Sequence, residues 1–175
     1  MFPSPPTDRL PIVPTLSASS TDGQLRAELR QPRPFQSLEA EAYLNVLRTS
    51  TVLLAELVEV LRPHELTQPQ YNVLRILRGA GDEGLPSGEI GDRMVSRDPD
   101  VTRLLDRLEA RGVVSRQRGP TDRRVVTARI TDEGRRVVDA LDAPVQDMHA
   151  RQLGHLSEDE LHTLIALLER ARRQA

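Results

Sequence analysis

The chain contains no cysteine and no lysine, and only 2% of its 175 residues are aromatic. The missing cysteine excludes a disulfide framework, a thiolate metal site and a cysteine redox switch. No uninterrupted apolar run approaches the roughly 20 residues of a membrane span, and the N-terminus lacks the basic flank and apolar core of a signal peptide. We therefore expect a cytoplasmic protein with no membrane partner.

Motifs that carry catalysis are missing as well. The sequence contains no nucleophile elbow, no H-E-x-x-H motif, no Walker sequence and no paired-carboxylate arrangement. Residues 79–84 match the dinucleotide fingerprint G-x-G-x-x-G, but a helix rather than a strand is predicted before them, and Asp82 and Glu83 would repel an anion. We predict that the protein is not an enzyme and has no cofactor.

The charged residues are distributed unevenly. The formal net charge is −2, yet residues 93–129 hold ten arginines against five acidic residues, and the remainder of the chain is acidic. A basic segment inside an acidic frame is expected when one surface meets phosphate groups and the rest does not. The alternative is that these arginines only solvate a helix face and a hairpin.

Two helices are predicted in this basic segment. A short helix over Pro86–Met94 precedes a second helix, with Asp98 as its N-cap and Pro99 as its first residue. Apolar residues recur at helical spacing along the second helix, at Val101, Leu104, Leu105 and Leu108. One face of this helix therefore packs, and the opposite face carries free arginines.

A β-hairpin is predicted after the second helix. Gly112 is expected to end the helix in a left-handed conformation. Residues 113–118 and 124–130 are β-prone runs, and the turn signal Gly-Pro-Thr-Asp lies between them at 119–122. A helix-turn-helix followed by such a hairpin is a winged helix-turn-helix, a module that reads duplex DNA.

The same residues resemble a known family. Val101–Glu109, followed by Gly112, Asp122-Arg123-Arg124 and Ile130–Gly134, is similar to the signature of the MarR family of bacterial transcription regulators. The resemblance implies a mainly α fold with a small β-hairpin wing, in which a winged helix-turn-helix lobe joins a helical dimerisation lobe. It further implies a homodimeric, sequence-specific repressor that binds a pseudo-palindromic operator on double-stranded DNA and is released by a small aromatic or anionic effector.

The chain is predicted to divide into an extension and a body. Seven of the 13 prolines lie in residues 1–34, which we interpret as a mobile N-terminal extension with a short helix over 22–30. The body, residues 35–175, resembles the family domain. Within it, the predicted dimerisation helices are 35–62 and 131–175, and the winged helix-turn-helix is 63–130.

The first long helix of the body is predicted from its cap and its apolar stripe. Ser37 is the expected N-cap, the helix runs to about Leu61, and its stripe is wider than one monomer core needs. The next helix opens at Thr67, which forms a capping box with Gln70.

Two further helices are predicted towards the C-terminus. Thr131 opens one of them, and Pro144 within it predicts a kink or a break near Ala143. Ser157 and Glu160 form the capping box of the last helix.

The resemblance assigns roles to the arginines. Arg103 is the first candidate for bidentate recognition of guanine in the major groove, and Asp122 with Arg124 maps onto the minor-groove contact of the wing. Asp122 would then hold an arginine by ion pairing. The full set of candidate DNA-binding residues is Arg97, Asp98, Asp100, Thr102, Arg103, Arg107, Arg116, Arg118, Asp122, Arg123 and Arg124, of which Arg116, Arg118 and Arg123 are assigned mainly to phosphates.

Other functions stay open at this point. Tyr43, Arg48 and His64 are candidates for the effector pocket, with ordinary packing as the alternative for each. The four histidines raise the alternative of a zinc-responsive regulator, but their spacing is not that of a helical metal site, and we predict no metal. A winged helix that binds another protein is the remaining alternative, and the arginines at the hairpin tip argue against it.

Overall fold

The computed structural model describes three stretches of the chain: residues 24–96, 100–118 and 126–173. The chain divides into two compact units, Met1–Thr49 and Ser50–Ala175. The predicted short helix is present as α1, Gln24–Glu28. Within the first unit, Leu25 is buried and Arg48 pairs with Glu28 at 3.4 Å.

Helix α2 spans Leu38–Leu61, as predicted from its cap. The Ser37 hydroxyl accepts the Ala40 N–H at 3.2 Å, which satisfies one of the free donors of the first turn. Pro63 follows in a single 3-10 turn, Arg62–His64. The helix thus ends where proline removes a donor from its hydrogen-bond ladder.

Helix α3 spans Gln68–Ala80 and begins with the predicted capping box. The Thr67 side chain accepts the Gln70 N–H at 3.4 Å, and the Gln70 side chain accepts the Thr67 N–H at 2.9 Å. Its buried face contributes Tyr71, Val73, Leu74 and Leu77 to the core.

The predicted hairpin is part of a three-stranded antiparallel sheet. Strand β1 is the two-residue strand Leu85–Pro86, β2 spans Val114–Arg118 and β3 spans Val126–Ile130. Their order in the sheet is β1-β3-β2. The helix predicted from Pro86 begins one residue later, as α4, Ser87–Arg93. Pro86 has an extended backbone and lies in an edge strand, where a missing N–H is tolerated.

The second helix of the basic segment, α5, spans Val101–Ala110. Its predicted start is wrong by two residues, because the N-cap is Asp100 rather than Asp98. The Asp100 side chain accepts the Arg103 N–H at 3.2 Å. Gly112 has a φ of 72°, which confirms the left-handed stop.

Helix α6 spans Asp132–Leu153 and α7 spans Glu158–Arg172, and both start at the predicted caps. The break predicted near Ala143 is wrong, because α6 continues through Pro144. One lost hydrogen bond is offset by core packing on both sides of the proline. The side chains that provide this packing are Val138, Leu141, Val145 and Met148.

The apolar core of the second unit is shared by several elements. The largest side chains with essentially no exposed surface come from α2 to α6, and they include Leu61, Leu74, Leu77, Ile90, Leu105, Leu108, Leu141 and Met148. Among the described helices, none combines the length and the apolar character needed to cross a membrane.

Candidate nucleic-acid interface

Helix α5 has one packed face and one exposed face. Leu105 and Leu108 have no exposed surface, because they lie in the core with α3 and α4. The opposite side presents Thr102, Arg103 and Arg107 as exposed side chains. We call α5 the recognition helix, since it offers polar side chains from a rigid, anchored element.

Asp100 organises the start of the recognition helix. One of its carboxylate oxygens accepts the Arg103 N–H, and the other lies 3.1 Å from the Arg103 Nε. The Arg103 side chain is 78% exposed. An ion pair this exposed stabilises the fold by about 1 kcal/mol or less, so Arg103 can leave Asp100 for a base edge at small cost.

Arg116 faces the protein's own carboxylates. Its Nη2 lies 2.7 Å from Asp106 Oδ1 and 2.5 Å from Glu109 Oε2, and its side chain is only 25% exposed. Its backbone N–H also donates to Glu109 at 3.1 Å. The side-chain hydrogen bond from Arg116 lowers the pKa of Glu109, and Glu109 in turn raises the pKa of Arg116. Arg116 therefore braces β2 against the recognition helix.

Arg118 differs from Arg116 in its surroundings. It is exposed at the end of β2, paired in the sheet with Val126. The assignment of Arg118 to a phosphate stays a prediction. The remaining candidates lie outside the described residues, and their contacts stay predictions: Arg97, Asp98, Asp122, Arg123 and Arg124.

Three anchors of this surface were not predicted. Arg129 donates to Gln117 Oε1 at 2.9 Å and to the Glu83 carbonyl at 3.2 Å, which joins the hairpin to the turn before β1. Asn72 Oδ1 accepts the Val95 N–H at 2.9 Å and so holds the turn after α4. These three contacts join residues that are 12 to 46 positions apart in the sequence, and no local spacing signals them.

The third anchor lies at the start of α6, where Thr131 and Gly134 contact the backbone that follows the recognition helix. The Thr131 hydroxyl donates to the Gly112 carbonyl at 2.7 Å, and its N–H donates to the Val113 carbonyl at 3.1 Å. At Gly134, a methyl group would overlap the Val113 carbonyl oxygen and the Ile130 side chain. The first turn of α6 therefore packs directly on the backbone that leaves the recognition helix.

A cavity of about 130 Å³ lies within the second unit. Its walls come from α2, α3, α6 and the turn after α4, and the lining residues are Leu57, Gln68, Tyr71, Asn72, Arg75, Val95, Val145 and His149. Burial raises the pKa of Tyr71, and Arg75 lies over its ring at 5.9 Å from the centroid.

The three residues predicted for an effector pocket do not line this cavity. Tyr43 is 64% exposed and Arg48 pairs with Glu28, both within the first unit, whereas His64 belongs to the second. Their role stays a prediction. In the stretches that the structure describes, no three histidine and carboxylate side chains are grouped to hold a metal ion.

The fold and the exposed arginines define a winged helix-turn-helix protein. Residues 66–126 match the model of the MarR family. The uncharacterized HTH-type transcriptional regulator YkoM of Bacillus subtilis (strain 168) is 33% identical over 111 residues, which cover 63% of this chain and 70% of that protein. The chain belongs to the MarR family of transcription regulators, and it is a regulator rather than an enzyme, as predicted.

Solved structures agree with this assignment. A MarR transcription factor from Planctomyces limnophilus is 47% identical, with a TM-score of 0.61, and the match covers 77% of this chain and 98% of that one. A mutant of MarR from E. coli, solved in complex with operator DNA, is 28% identical, with a TM-score of 0.68 and the same coverage of both chains.

Proposed function

We propose that the protein is a repressor that binds a pseudo-palindromic operator as a homodimer and is released by a small anionic aromatic molecule. The observation that carries the proposal is the exposed guanidinium of Arg103 on a helix whose other face anchors the fully buried Leu105 and Leu108 in the core. An α-helix fits the major groove, where an arginine can bond the O6 and N7 atoms of guanine together. The likeness to a MarR protein solved with operator DNA supports this role.

The remaining contacts divide between grooves and backbone. Thr102 and Arg107 lie exposed beside Arg103 and supply further contacts to base edges or phosphates. Arg118 binds a phosphate beside the recognition helix. The wing residues Asp122 and Arg124 are assigned to the minor groove, as the family resemblance implies.

Exposed apolar side chains on two helices support the homodimer. Large contiguous apolar surface marks interaction sites in soluble proteins. In the second unit, the exposed fractions of six such side chains lie between 38% and 56%, and these residues are Val52, Leu54 and Val58 on α2 with Leu164, Ile165 and Leu167 on α7. A second copy of the chain would cover them, as in the family.

Two-fold symmetry predicts the shape of the operator. The two recognition helices of a homodimer would lie about 34 Å apart, one turn of the duplex, and would read inverted half-sites. DNase footprinting on the DNA upstream of the gene should show two protected half-sites related by a two-fold axis. A single asymmetric contact would contradict the homodimer, and transcription unaffected by the bound protein would contradict repression.

The cavity of the second unit is the proposed effector site. It offers about 130 Å³ and is partly open to solvent, which is on the scale of one aromatic ring, since a sealed engineered cavity of roughly 150 Å³ holds benzene. Leu57 and Val145 offer apolar walls, and Arg75 and His149 offer groups that bind an anion. Val95, in the turn that precedes the recognition helix, lines the same cavity, so a ligand there reaches the DNA-binding element.

Benzoate and benzyl alcohol test this site as a matched pair. Benzoate should release a bound operator duplex in fluorescence anisotropy, and benzyl alcohol should not, because only the carboxylate pairs with Arg75. In Arg75→Ala the effect of benzoate should disappear while duplex binding is retained. Equal effects of the two compounds, or a benzoate response that survives in Arg75→Ala, would contradict the assignment.

A further inference from the structure

The connection between α2 and α3 contains a residue with a left-handed backbone. Glu65 has φ 52° and ψ 35°, a conformation that residues other than glycine rarely adopt. The Glu65 N–H closes the turn on the Arg62 carbonyl at 3.0 Å. The carbonyl groups of His64 and Glu65 are then bound by a side chain from another element.

That side chain is Arg111, which follows the last residue of the recognition helix. Its Nη1 donates to the Glu65 carbonyl at 2.7 Å, and its Nη2 donates to the His64 carbonyl at 2.8 Å. A guanidinium that binds two successive carbonyl groups fixes direction as well as distance, which one ammonium group cannot do. The two bonds therefore constrain the orientation of the helix end and do not merely attract it.

The backbone that carries Arg111 is itself fixed. Its N–H donates to the Arg107 carbonyl at 3.3 Å, and Gly112 follows with a φ of 72°. Leu61, the last residue of α2, and Leu108 of the recognition helix have no exposed surface and belong to the same apolar core. The ends of the two helices thus share this core, and the bidentate hydrogen bond of Arg111 links the recognition helix to the connection that follows α2.

We propose that Arg111 is a positioning residue that sets the angle of the recognition helix relative to α2, and through α2 the spacing of the two recognition helices in the homodimer. The inference rests on the proposed function, because it requires α2 to form the dimer interface. The competing role is a phosphate contact, as expected of an exposed arginine beside a DNA-binding helix. The two roles differ in their consequences, since a phosphate contact sets the salt dependence and a positioning contact sets the preferred half-site spacing.

The test measures the affinity of full-length variants for duplexes of different half-site spacing. The probe is a duplex selected by the wild-type protein from a random library, together with versions in which one base pair is inserted or deleted between the half-sites. Fluorescence anisotropy at two salt concentrations gives the affinity, the spacing preference and the salt slope. Arg62→Ala is the matched control, because Arg62 lies in the same connection. Among the ion pairs of the described residues, Arg62 takes part only in the one with the exposed Glu59, at 2.6 Å.

Arg111→Ala should lower the affinity for the selected duplex by about tenfold, because a helix whose angle is no longer fixed must be ordered at the moment of binding. The preference for the selected spacing should shrink to about twofold or less, because the helix angle is no longer fixed. The salt slope should not change. Arg111→Lys, which keeps the charge and can bind one carbonyl, should be intermediate, and Arg62→Ala should match the wild type.

Three results would overturn the positioning role. The first is a spacing preference that survives in Arg111→Ala. The second is a salt slope of Arg111→Ala that falls by about one or more. The third is an equal loss of affinity of Arg111→Ala at every spacing, together with a lower melting temperature of this variant. A wild-type protein with no spacing preference would instead overturn the proposed homodimer and the positioning role with it.

Discussion

Replacing Arg103 with alanine is expected to remove the sequence preference of the protein and leave its fold intact. Each bidentate pair between arginine and guanine contributes about 1–3 kcal/mol of discrimination. A homodimer carries two copies, so the ratio of operator affinity to random-duplex affinity should fall by at least about thirtyfold. The fold should tolerate the change, because the side chain is 78% exposed and its partner Asp100 stays hydrated. Anisotropy titrations with an operator duplex and a scrambled duplex measure this ratio.

Arg118→Ala is the matched comparison for this experiment. It should weaken both duplexes alike and reduce the salt slope by about two for the homodimer, because one phosphate contact is lost per chain. The operator preference of Arg118→Ala should remain that of the wild type. If the two variants behaved identically, the division between base recognition and phosphate binding would be wrong.

Gly134→Ala is expected to have the largest effect on stability among the single substitutions considered. The added methyl group would overlap the Val113 carbonyl oxygen, a backbone atom that already accepts the Thr131 N–H. Overpacking against such an atom forces a backbone shift and costs about 2–3 kcal/mol. For a chain of this length, the melting temperature should fall by roughly 5–10 °C. Thermal unfolding followed by circular dichroism at fixed protein concentration measures the shift.

Gly79→Ala provides the control for the glycine substitution. Gly79 is exposed within α3, and a methyl group built there has no neighbour within 4 Å. The same change should therefore leave the melting temperature unaltered or raise it slightly, since alanine favours a helix by up to about 1 kcal/mol over glycine. If Gly134→Ala had the same melting temperature as Gly79→Ala, α6 would be able to shift away from Val113 without a loss of stability.

Features that depend on residues a few positions apart were predicted correctly from the sequence. The capping boxes of α3 and α7 each join residues three positions apart, and the side chains at that spacing determine the interaction. The winged helix-turn-helix and its family were predictable for a related reason, because a helix, a glycine stop and a hairpin follow one another directly.

The predictions that were wrong concern places where two local sequence signals compete, or where packing with distant residues determines the structure. Asp98 and Asp100 are both suitable N-caps by residue type, and the sequence signal of Asp-Pro favoured the first although the helix begins after the second. A break of α6 was predicted near Ala143, but the helix continues because its own side chains on both sides of Pro144 are buried in the core. Strand β1 was missed because a two-residue strand has no periodicity of its own, and its pairing of Leu85 with Ala128 is long-range.

Arg116 shows why the site itself was only partly predictable. In the sequence Arg116 cannot be distinguished from Arg118, because both are arginines of the same strand, two positions apart. The hairpin brings Arg116 against Asp106 and Glu109 on the recognition helix, and Arg118 stays exposed. A sequence gives the charge of each side chain, but the partner that neutralises this charge depends on the tertiary structure.

We propose that the arginines of the recognition helix and the wing bind duplex DNA in two symmetric copies. Light scattering of the purified protein with a selected duplex, at low and at moderate salt, tests this claim most directly. We predict a complex of two chains on one duplex, with an affinity that falls steeply as salt increases. A protein that stays a monomer and binds no duplex at low ionic strength would contradict the account.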